Sequence, residues 1–415
     1  MFPLNPNPHR VALAVVSIIF LDAWIGAVSA AVPEPIKPAL AVNESGLEKI
    51  KGLKSNSAVI VGKAAVIGEF NEVAKKFDLP RTGPRGRDFT IKMVWAPERQ
   101  RVLYCGANHA VPHRLNDVWE FDLAALSWVM LYAPDNARDY TGLGKDASDV
   151  EFKDGIFITK RGGPGIIGHT WWGLTYDPEQ KRMLFMNTWV TDEKKAAAQL
   201  GGDPAALYAG PPLWAFSPST REWKMLKTDN PFPRPIFGGM LEYVPDLRGS
   251  IWHANNWQMH ATWLYDAKSN AWKNLKSNGT PAEFEKQSPE PEQVGYYDPQ
   301  RKLVIVHRHK ATSHFNPQMN TWQKVISADK DSEQVPYGHD AFSPMYHDPV
   351  SGHGLLVEFK TSTLWSYNPD KIEWTKLRPE GDKMPEGNKR LAYFDPVQKV
   401  FVILHDTTVW AYRYR

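Results

Sequence analysis

Tryptophan recurs in this chain at a spacing that few folds can accommodate. A Trp is followed three residues later by Asp, Asn or Ser, and a second Trp stands six residues after that. The pattern occurs in four pairs, Trp119 with Trp128, Trp214 with Trp223, Trp263 with Trp272, and Trp365 with Trp374. A fifth copy has Ser313 in place of the first Trp and ends at Trp322. Because Asp, Asn and Ser favour turns and Trp favours packed sheet faces, each copy predicts two strands joined by a turn.

A second motif precedes each tryptophan pair. An aromatic or apolar residue is followed by Asp-Pro and then by an apolar strand, clearest at Tyr176, Tyr297, His347 and Phe394 and weaker at Trp95 and Val244. Proline presets φ and Asp accepts a backbone hydrogen bond, so this motif predicts a turn between two further strands. Trp223, Trp272, Trp322 and Trp374 are separated by 49, 50 and 52 residues. A period near 50 with four strands predicts an all-β propeller blade.

The repeats predict six blades. Trp410 starts a sixth copy that stops at Arg415 before a second Trp, so its outer strand is expected from the N-terminal side, near residues 70–77. Trp128 and Trp223 are almost two periods apart, but only one Asp-Pro turn lies between them. We therefore expect insertions at about 133–168 and 188–212, with seven blades as the alternative. The predicted propeller covers 57–415 as a single domain, preceded by a linker at 31–56.

These repeats resemble those of kelch proteins and of the propeller domain of galactose oxidase, from about Phe70 to Arg415. The resemblance implies a ring of four-stranded blades around a central channel. The paired glycines of the kelch family are mostly missing here, with Gly106 a remnant after Cys105 and Gly238-Gly239 elsewhere in its repeat. Function cannot therefore be transferred from individual kelch proteins.

The first thirty residues read as a signal peptide. His9 and Arg10 precede an apolar stretch at 11–21, and small residues at Val28 and Ala30 suit cleavage after Ala30. A retained membrane anchor is the alternative, although Asp22 interrupts the apolar stretch. We expect a secreted or periplasmic protein that has no membrane contact once the signal is removed.

Composition excludes several classes of protein. The net charge is +3 and basic residues do not cluster with aromatics, so nucleic-acid binding is not expected. Cys105 is the only cysteine, which excludes an intramolecular disulfide and cysteine-based metal clusters. No cofactor is predicted. Seventeen tryptophans indicate stability from packing.

Polar and aromatic residues concentrate at one set of blade connections. In a propeller, the connection after each second strand and the connection into each first strand lie on the same face, around the channel. The ligand-binding candidates at these positions are Asn108, His109, His169, Trp171, Asn187, His253, Asn255, Asn256, Trp257, His307, His309 and His339. They predict a site for a polar extracellular ligand, carbohydrate first and protein second. Alternatively, these residues cap strand ends and bind nothing.

Three chemical alternatives stay open. A polysaccharide lyase would need a cation, Arg234 or Arg308, and a base, His253, His339 or Tyr337. This hypothesis rests on fold analogy, because several lyase families use propellers of similar layout. A divalent metal could bind His307 and His309, which alternate along a predicted strand. A Tyr–Cys copper site like that of galactose oxidase would require Cys105, which lies in a predicted strand next to Tyr104, but the family's copper-ligand motifs are not recognisable.

Overall fold

The computed structural model describes residues 39–68, 70–77, 83–106, 116–135, 138–139, 148–187, 193–233, 238–256, 259–279, 293–327, 333–339, 341–387 and 390–415. Six small antiparallel sheets form a ring, so the chain is a six-bladed β-propeller as the repeats predict. Each blade has an inner strand at the channel, a second, a third and an outer strand.

The strands recur in register with the sequence motifs. The inner strands are Val94–Ala96, Leu174–Asp177, Met240–Val244, Val294–Asp298, Met345–Asp348 and Arg390–Asp395. The second strands are Arg101–Cys105, Arg182–Met186, Gly249–Asn256, Leu303–Arg308, His353–Glu358 and Val400–His405. The third strands are Val118–Asp122, Leu213–Ser217, Met259–Asp266, Ala311–Asn316, Thr363–Asn368 and Thr408–Arg413. The outer strands of blades 1 to 5 are Ser127–Tyr132, Glu222–Met225, Ala271–Asn274, Thr321–Ile326 and Glu373–Leu377.

The ring closes through an N-terminal strand, but not through the predicted segment. Ser57–Lys63 pairs antiparallel with Thr408–Arg413 and forms the outer strand of blade 6. The predicted segment is a helix, Phe70–Phe77, because its apolar residues recur with helical rather than strand spacing. A short strand, Ala65–Ile67, then pairs parallel with the outer strand of blade 1. Adjacent blades therefore share the N-terminal segment.

The predicted linker also contains folded structure. Glu44–Lys51 is a helix whose first turn is capped by the Asn43 side chain, which accepts a hydrogen bond from the Gly46 amide at 2.8 Å. Ile50 is fully buried, and the Arg413 side chain donates to its carbonyl at 3.1 Å. This helix packs beside the closing strand. Among the described residues no helix is both long and apolar enough to span a bilayer, and the predicted signal peptide lies outside them.

The region between blades 1 and 2 holds insertions rather than another blade. Its described strands form two small sheets, Arg138–Asp139 with Ile166–Ile167 and Val150–Lys153 with Ile156–Thr159. The second insertion interrupts blade 2 between its second and third strands, and contains the helix Glu193–Gln199 followed by a 3₁₀ turn at Pro204–Ala206. Outside the blades, Glu380–Gly381 extends the sixth sheet, and a 3₁₀ turn spans Pro245–Leu247.

The ring-bearing residues that stand two positions before the turn prolines surround the lower mouth of the channel, opposite the face predicted to bind ligand. This mouth is lined by one ring from every blade, namely Trp95, Tyr176, Tyr243, Tyr297, His347 and Phe394. Three of the tyrosine hydroxyls donate to a carboxylate in the turn of the preceding blade, through the pairs Tyr176 with Glu98, Tyr243 with Glu179, and Tyr297 with Asp246. The motif therefore has two roles, since it makes the turn and joins neighbouring blades.

Three side chains cross the channel and block it. The Trp172 indole from blade 2 donates to the Gly295 carbonyl of blade 4 at 2.7 Å. The Tyr346 hydroxyl of blade 5 accepts from the Met93 amide of blade 1 at 2.9 Å. Lys92 pairs with Glu242 of blade 3 at 2.8 Å and lies over the Trp172 ring. Trp172 is fully buried within this group.

Candidate functional site

Aromatic and polar side chains meet on the upper face, at the connections where the sequence predicts a site. They come from the connections into blades 1, 2 and 5 and from those after the second strands of blades 4 and 5. We call them the upper-face cluster, which consists of Phe89, His169, Trp171, His309, Tyr337, His339, Phe342 and Lys360. The connections of four blades thus contribute to one patch.

One half of the upper-face cluster joins blades 1 and 2. The His169 ring lies 5.1 Å from Trp171 and 5.3 Å from Phe89, between ring centroids. The backbone fixes this arrangement, because the Trp171 amide donates to the Phe89 carbonyl at 2.8 Å and the Thr170 amide to the Thr90 hydroxyl at 3.2 Å. His169 and Trp171 are 3% and 5% exposed, so they form the base of the patch and not its surface.

The other half comes from blades 4 and 5 and is more open. His309 stacks on Tyr337 with ring centroids 4.8 Å apart, and His339 stacks on Phe342 at 4.2 Å. The exposed Lys360 ammonium lies 3.8 Å from the centre of the Phe342 ring. Tyr337 is 38% exposed, and His309 and His339 are partly exposed. These groups are the part of the cluster that a ligand could reach.

A buried carboxylate supports the segment that carries Tyr337 and His339. Glu358 accepts hydrogen bonds from the Gly338 amide at 2.9 Å and from the Ser343 hydroxyl at 3.0 Å. Burial raises the pKa of Glu358. Gly338 has φ of +75°, and a Cβ there would meet the His307 ring at 2.3 Å, so only glycine fits. The segment is therefore fixed from below before any ligand arrives.

The hydrogen bonds of His339 fix its tautomer. Its Nδ1 accepts from the Ala341 amide at 3.0 Å, so the neutral ring carries its proton on Nε2. In this state Nε2 donates and cannot accept a proton. The Nδ1 lone pair that a general base would need is therefore already occupied by the Ala341 amide.

His253 and His307, two central candidates, lie between blades instead of around the channel mouth. Each Nδ1 is 2.9 Å from a threonine hydroxyl on the next strand, Thr262 or Thr312. That hydroxyl accepts at 3.0 Å from a Trp indole of the following blade, Trp322 or Trp374, and the His ring packs against the same indole. His253 is 3% exposed and His307 is fully buried. The expectation that both surround the opening is wrong, because this repeat position faces the neighbouring blade.

The geometry does not fit a metal shared by His307 and His309. His307 uses both ring nitrogens, since its Nε2 lies 2.9 Å from the Pro336 carbonyl. The strand ends at Arg308 and His309 has φ of +44°, so the strand alternation that would align the two rings stops before His309. Within the described ranges there is no group of three metal-ligating side chains.

The remaining candidates divide into buried side chains and residues that cannot be placed. Asn187 is structural, because its side chain accepts from Gly168 and donates to Ile166. Arg308 is 4% exposed at a strand end, where a substrate carboxylate has little access. Outside the described residues are Asn108, His109, Arg234 and Trp257, together with the side chains of Asn255 and Asn256.

Cys105, which a Tyr–Cys copper site would need, is buried in the strand Arg101–Cys105. Tyr104 and Cys105 are consecutive on one strand, so their side chains point to opposite faces. The Tyr104 hydroxyl donates to the Thr90 carbonyl at 2.7 Å, and burial raises the pKa of the Cys105 thiol. Both residues belong to the packing of blade 1.

Sequence reasoning missed Phe89, Phe342 and Glu358. A signal for Phe89 was present, since Phe89-Thr90 and His169-Thr170 both start five residues before an inner strand, at Val94 and Leu174. No comparable sequence pattern indicates Phe342 or Glu358. Their roles depend on how one connection folds over another.

Several solved structures resemble this chain in part. An auxiliary nutrient-binding protein from Bacteroides ovatus aligns at a TM-score of 0.46 and 9% identity, over 79% of this chain and 69% of its own. A second, from Bacteroides thetaiotaomicron, aligns at 0.45 and 10% identity over the same shares. TolB from Acinetobacter baumannii aligns at 0.37 and 13%, over 71% of this chain and 56% of its own. At these scores they do not bear on ligand or activity. No family model and no curated protein sequence matches the chain.

Proposed function

We propose that this protein is an exported β-propeller that binds a polar extracellular ligand, carbohydrate first, at the upper-face cluster. The observation that carries the proposal is the convergence of rings from four blades on one patch, with Tyr337, His309 and His339 at its surface. Aromatic faces suit the apolar faces of sugar rings, and imidazole, phenol and ammonium groups suit their hydroxyl or carboxylate oxygens.

The arrangement favours binding over catalysis. A lyase needs a base that can take a proton, but the Nδ1 of His339 already accepts from the Ala341 amide. His253 and Arg308, two further members of the predicted catalytic set, are buried. Tyr337 is the catalytic candidate that remains exposed among the described residues. The experiment must therefore also be able to detect lyase activity.

Replacing Tyr337 by Ala is expected to weaken ligand binding at least tenfold, because the variant removes the most exposed ring of the cluster. The melting temperature should change little, since substitutions at exposed sites usually alter stability by at most about 0.5 kcal/mol. Binding is measured on a glycan array and then by calorimetry with the best ligand. His339→Ala tests the second surface group.

Met319→Ala is the matched control, because Met319 is an exposed apolar side chain (69%) on an outer turn away from the cluster. Unchanged affinity in the Tyr337 and His339 variants would overturn the proposed site. Lyase activity is tested by incubating the protein with uronic-acid polysaccharides and following the absorbance of the unsaturated product. Steady product formation that is lost in Tyr337→Phe would replace the binding function with the lyase.

Export has its own test. The mature protein is expected to start at Ala31, because Val28 and Ala30 fit the two positions that signal peptidase reads. Intact-mass measurement on protein purified from its native host checks this start. A mass that includes residues 1–30 would instead indicate a retained N-terminal anchor.

A further inference from the structure

The two insertions beside blade 2 line a pocket together with strands of that blade. Its volume is about 230 Å³. Ile156 and Phe157 of the inserted hairpin form one wall, and Leu207 and Tyr208 of the second insertion form the other. Trp214 of blade 2 contributes to the lining. None of the residues of the upper-face cluster lines it.

Contacts between the two insertions hold the pocket in shape. The Tyr208 amide donates to the Gly155 carbonyl at 2.9 Å. The Tyr208 hydroxyl accepts from the Thr228 amide at 2.8 Å and donates to the Thr228 carbonyl at 3.0 Å. Gly155 has φ of +79°, and a Cβ there would meet the Ala206 carbonyl at 2.3 Å. The walls are therefore fixed to each other at close range.

The chemistry of the lining is asymmetric. Its side chains are apolar or aromatic apart from Asn187 and Glu193. The Asn187 side chain already accepts from the Gly168 amide and donates to the Ile166 carbonyl, so its hydrogen bonds are made within the protein. Glu193 is therefore the single charged group among the described residues that line the pocket. The residue is exposed at its outer side, and partial desolvation raises the pKa of its carboxyl. No cation stands among these lining residues to balance it.

We propose that this pocket binds a primary amine carried on a short apolar or aromatic group, with the ammonium against Glu193. The carboxylate supplies the counter-charge, and the apolar walls take the rest of the ligand. Phe157, Tyr208 and Trp214 add aromatic rings, which attract cations. The volume lies below the roughly 300–1,000 Å³ of sites for drug-sized ligands, which limits the ligand to a compact molecule.

Calorimetry with 2-phenylethylamine and its neutral counterpart 2-phenylethanol tests the proposal on the full mature chain. The amine is expected to bind at least tenfold more tightly at pH 7.5. Glu193→Gln should remove this preference for the amine without changing the affinity for the alcohol. Amine affinity should also rise with pH as Glu193 ionises. Equal affinities for the two compounds, no measurable amine binding, or an unaffected Glu193→Gln variant would each overturn the proposal.

Two further variants give the matched controls. Glu222→Gln removes an exposed carboxylate from the outer strand of the same blade, outside the pocket lining, and should leave amine binding intact. Ile156→Trp fills the pocket and should abolish binding of both compounds. If Glu222→Gln weakened amine binding as much as Glu193→Gln, the effect would come from the overall negative charge of the protein. That result would overturn the site. Tyr337→Ala should not alter amine binding, which separates this pocket from the proposed glycan site.

The amine could be a free small molecule or a lysine side chain of another protein. An acetylated and amidated Gly-Lys-Gly peptide distinguishes the two sources. Binding of 2-phenylethylamine without the peptide assigns a free amine. Binding of the peptide at comparable affinity, lost in Glu193→Gln, assigns a lysine side chain.

Discussion

Lowering the pH from about 6.5 to about 4 is expected to destabilise the blade 4 region through His307 and His314. Burial lowers the pKa of each imidazole to about 4. His307 lies against Trp374, and His314 Nε2 is 2.8 Å from the Tyr367 hydroxyl, so both rings sit at the contact with blade 5. Charging either ring would place a cation in the buried contact between two blades.

The direction of the effect follows from the difference in proton affinity. In the unfolded chain both histidines protonate near pH 6.5, but in the folded protein only near pH 4. Stability from the neutral rings is therefore complete above pH 6.5 and is lost as the pH falls to about 4. Each histidine contributes up to about 3 kcal/mol across that window.

Asp395 opposes this loss. Burial raises its pKa to about 6, so its protonation favours the folded state as the pH falls. Urea unfolding at a series of pH values should show a steeper acid loss in Asp395→Asn, because Asn can still accept from the Val397 and Gln398 amides but gains no proton. His307→Gln combined with His314→Gln should show a shallower loss. Coincident pH profiles for the histidine variant and the parent protein would contradict the assignment.

Substituting Val61 by Asn is expected to lower the free energy of unfolding by about 3 kcal/mol, from lost apolar burial and an unpaired buried amide. Val61 is 2% exposed on the closing strand Ser57–Lys63. The neighbouring Ile60 is 42% exposed, so Ile60→Asn is the matched control and should have little effect. Chemical denaturation compares the two. Equal stability of the two variants would mean that the closing strand does not hold the ring.

The tryptophan spacing predicted the blades because it reflects a local interaction, the pairing of two strands joined by a short turn. A Trp three residues before a turn and another six after it fit two paired strands, and the structure pairs Phe121 with Trp128 and Tyr265 with Trp272 on those strands. The closing strand was misplaced because blade completion depends on a segment far away along the chain. Here the apolar run at 58–61, inside the strand Ser57–Lys63, was a stronger strand signal than the helical spacing of Phe70–Phe77.

The candidate site was predicted less well, for a geometric reason. Matching repeat positions converge on the channel only if their side chains leave the sheet edge, whereas most side chains of a strand point to the adjacent blades. His253 and His307 point to the adjacent blade. The threonine on the next strand, which each contacts, was the sequence feature that could have indicated this. His309, Tyr337 and His339 lie on connections outside the strands, which is where the prediction of a common patch agrees with the geometry.

The N-terminal closing strand also sets the order of events during synthesis. Ser57–Lys63 leaves the ribosome about 350 residues before its partner Thr408–Arg413, by the numbering of the two strands. Until then the sixth blade lacks an edge and the ring stays open, with strand edges exposed to other chains. A nascent chain therefore cannot close its ring until Thr408–Arg413 has left the ribosome.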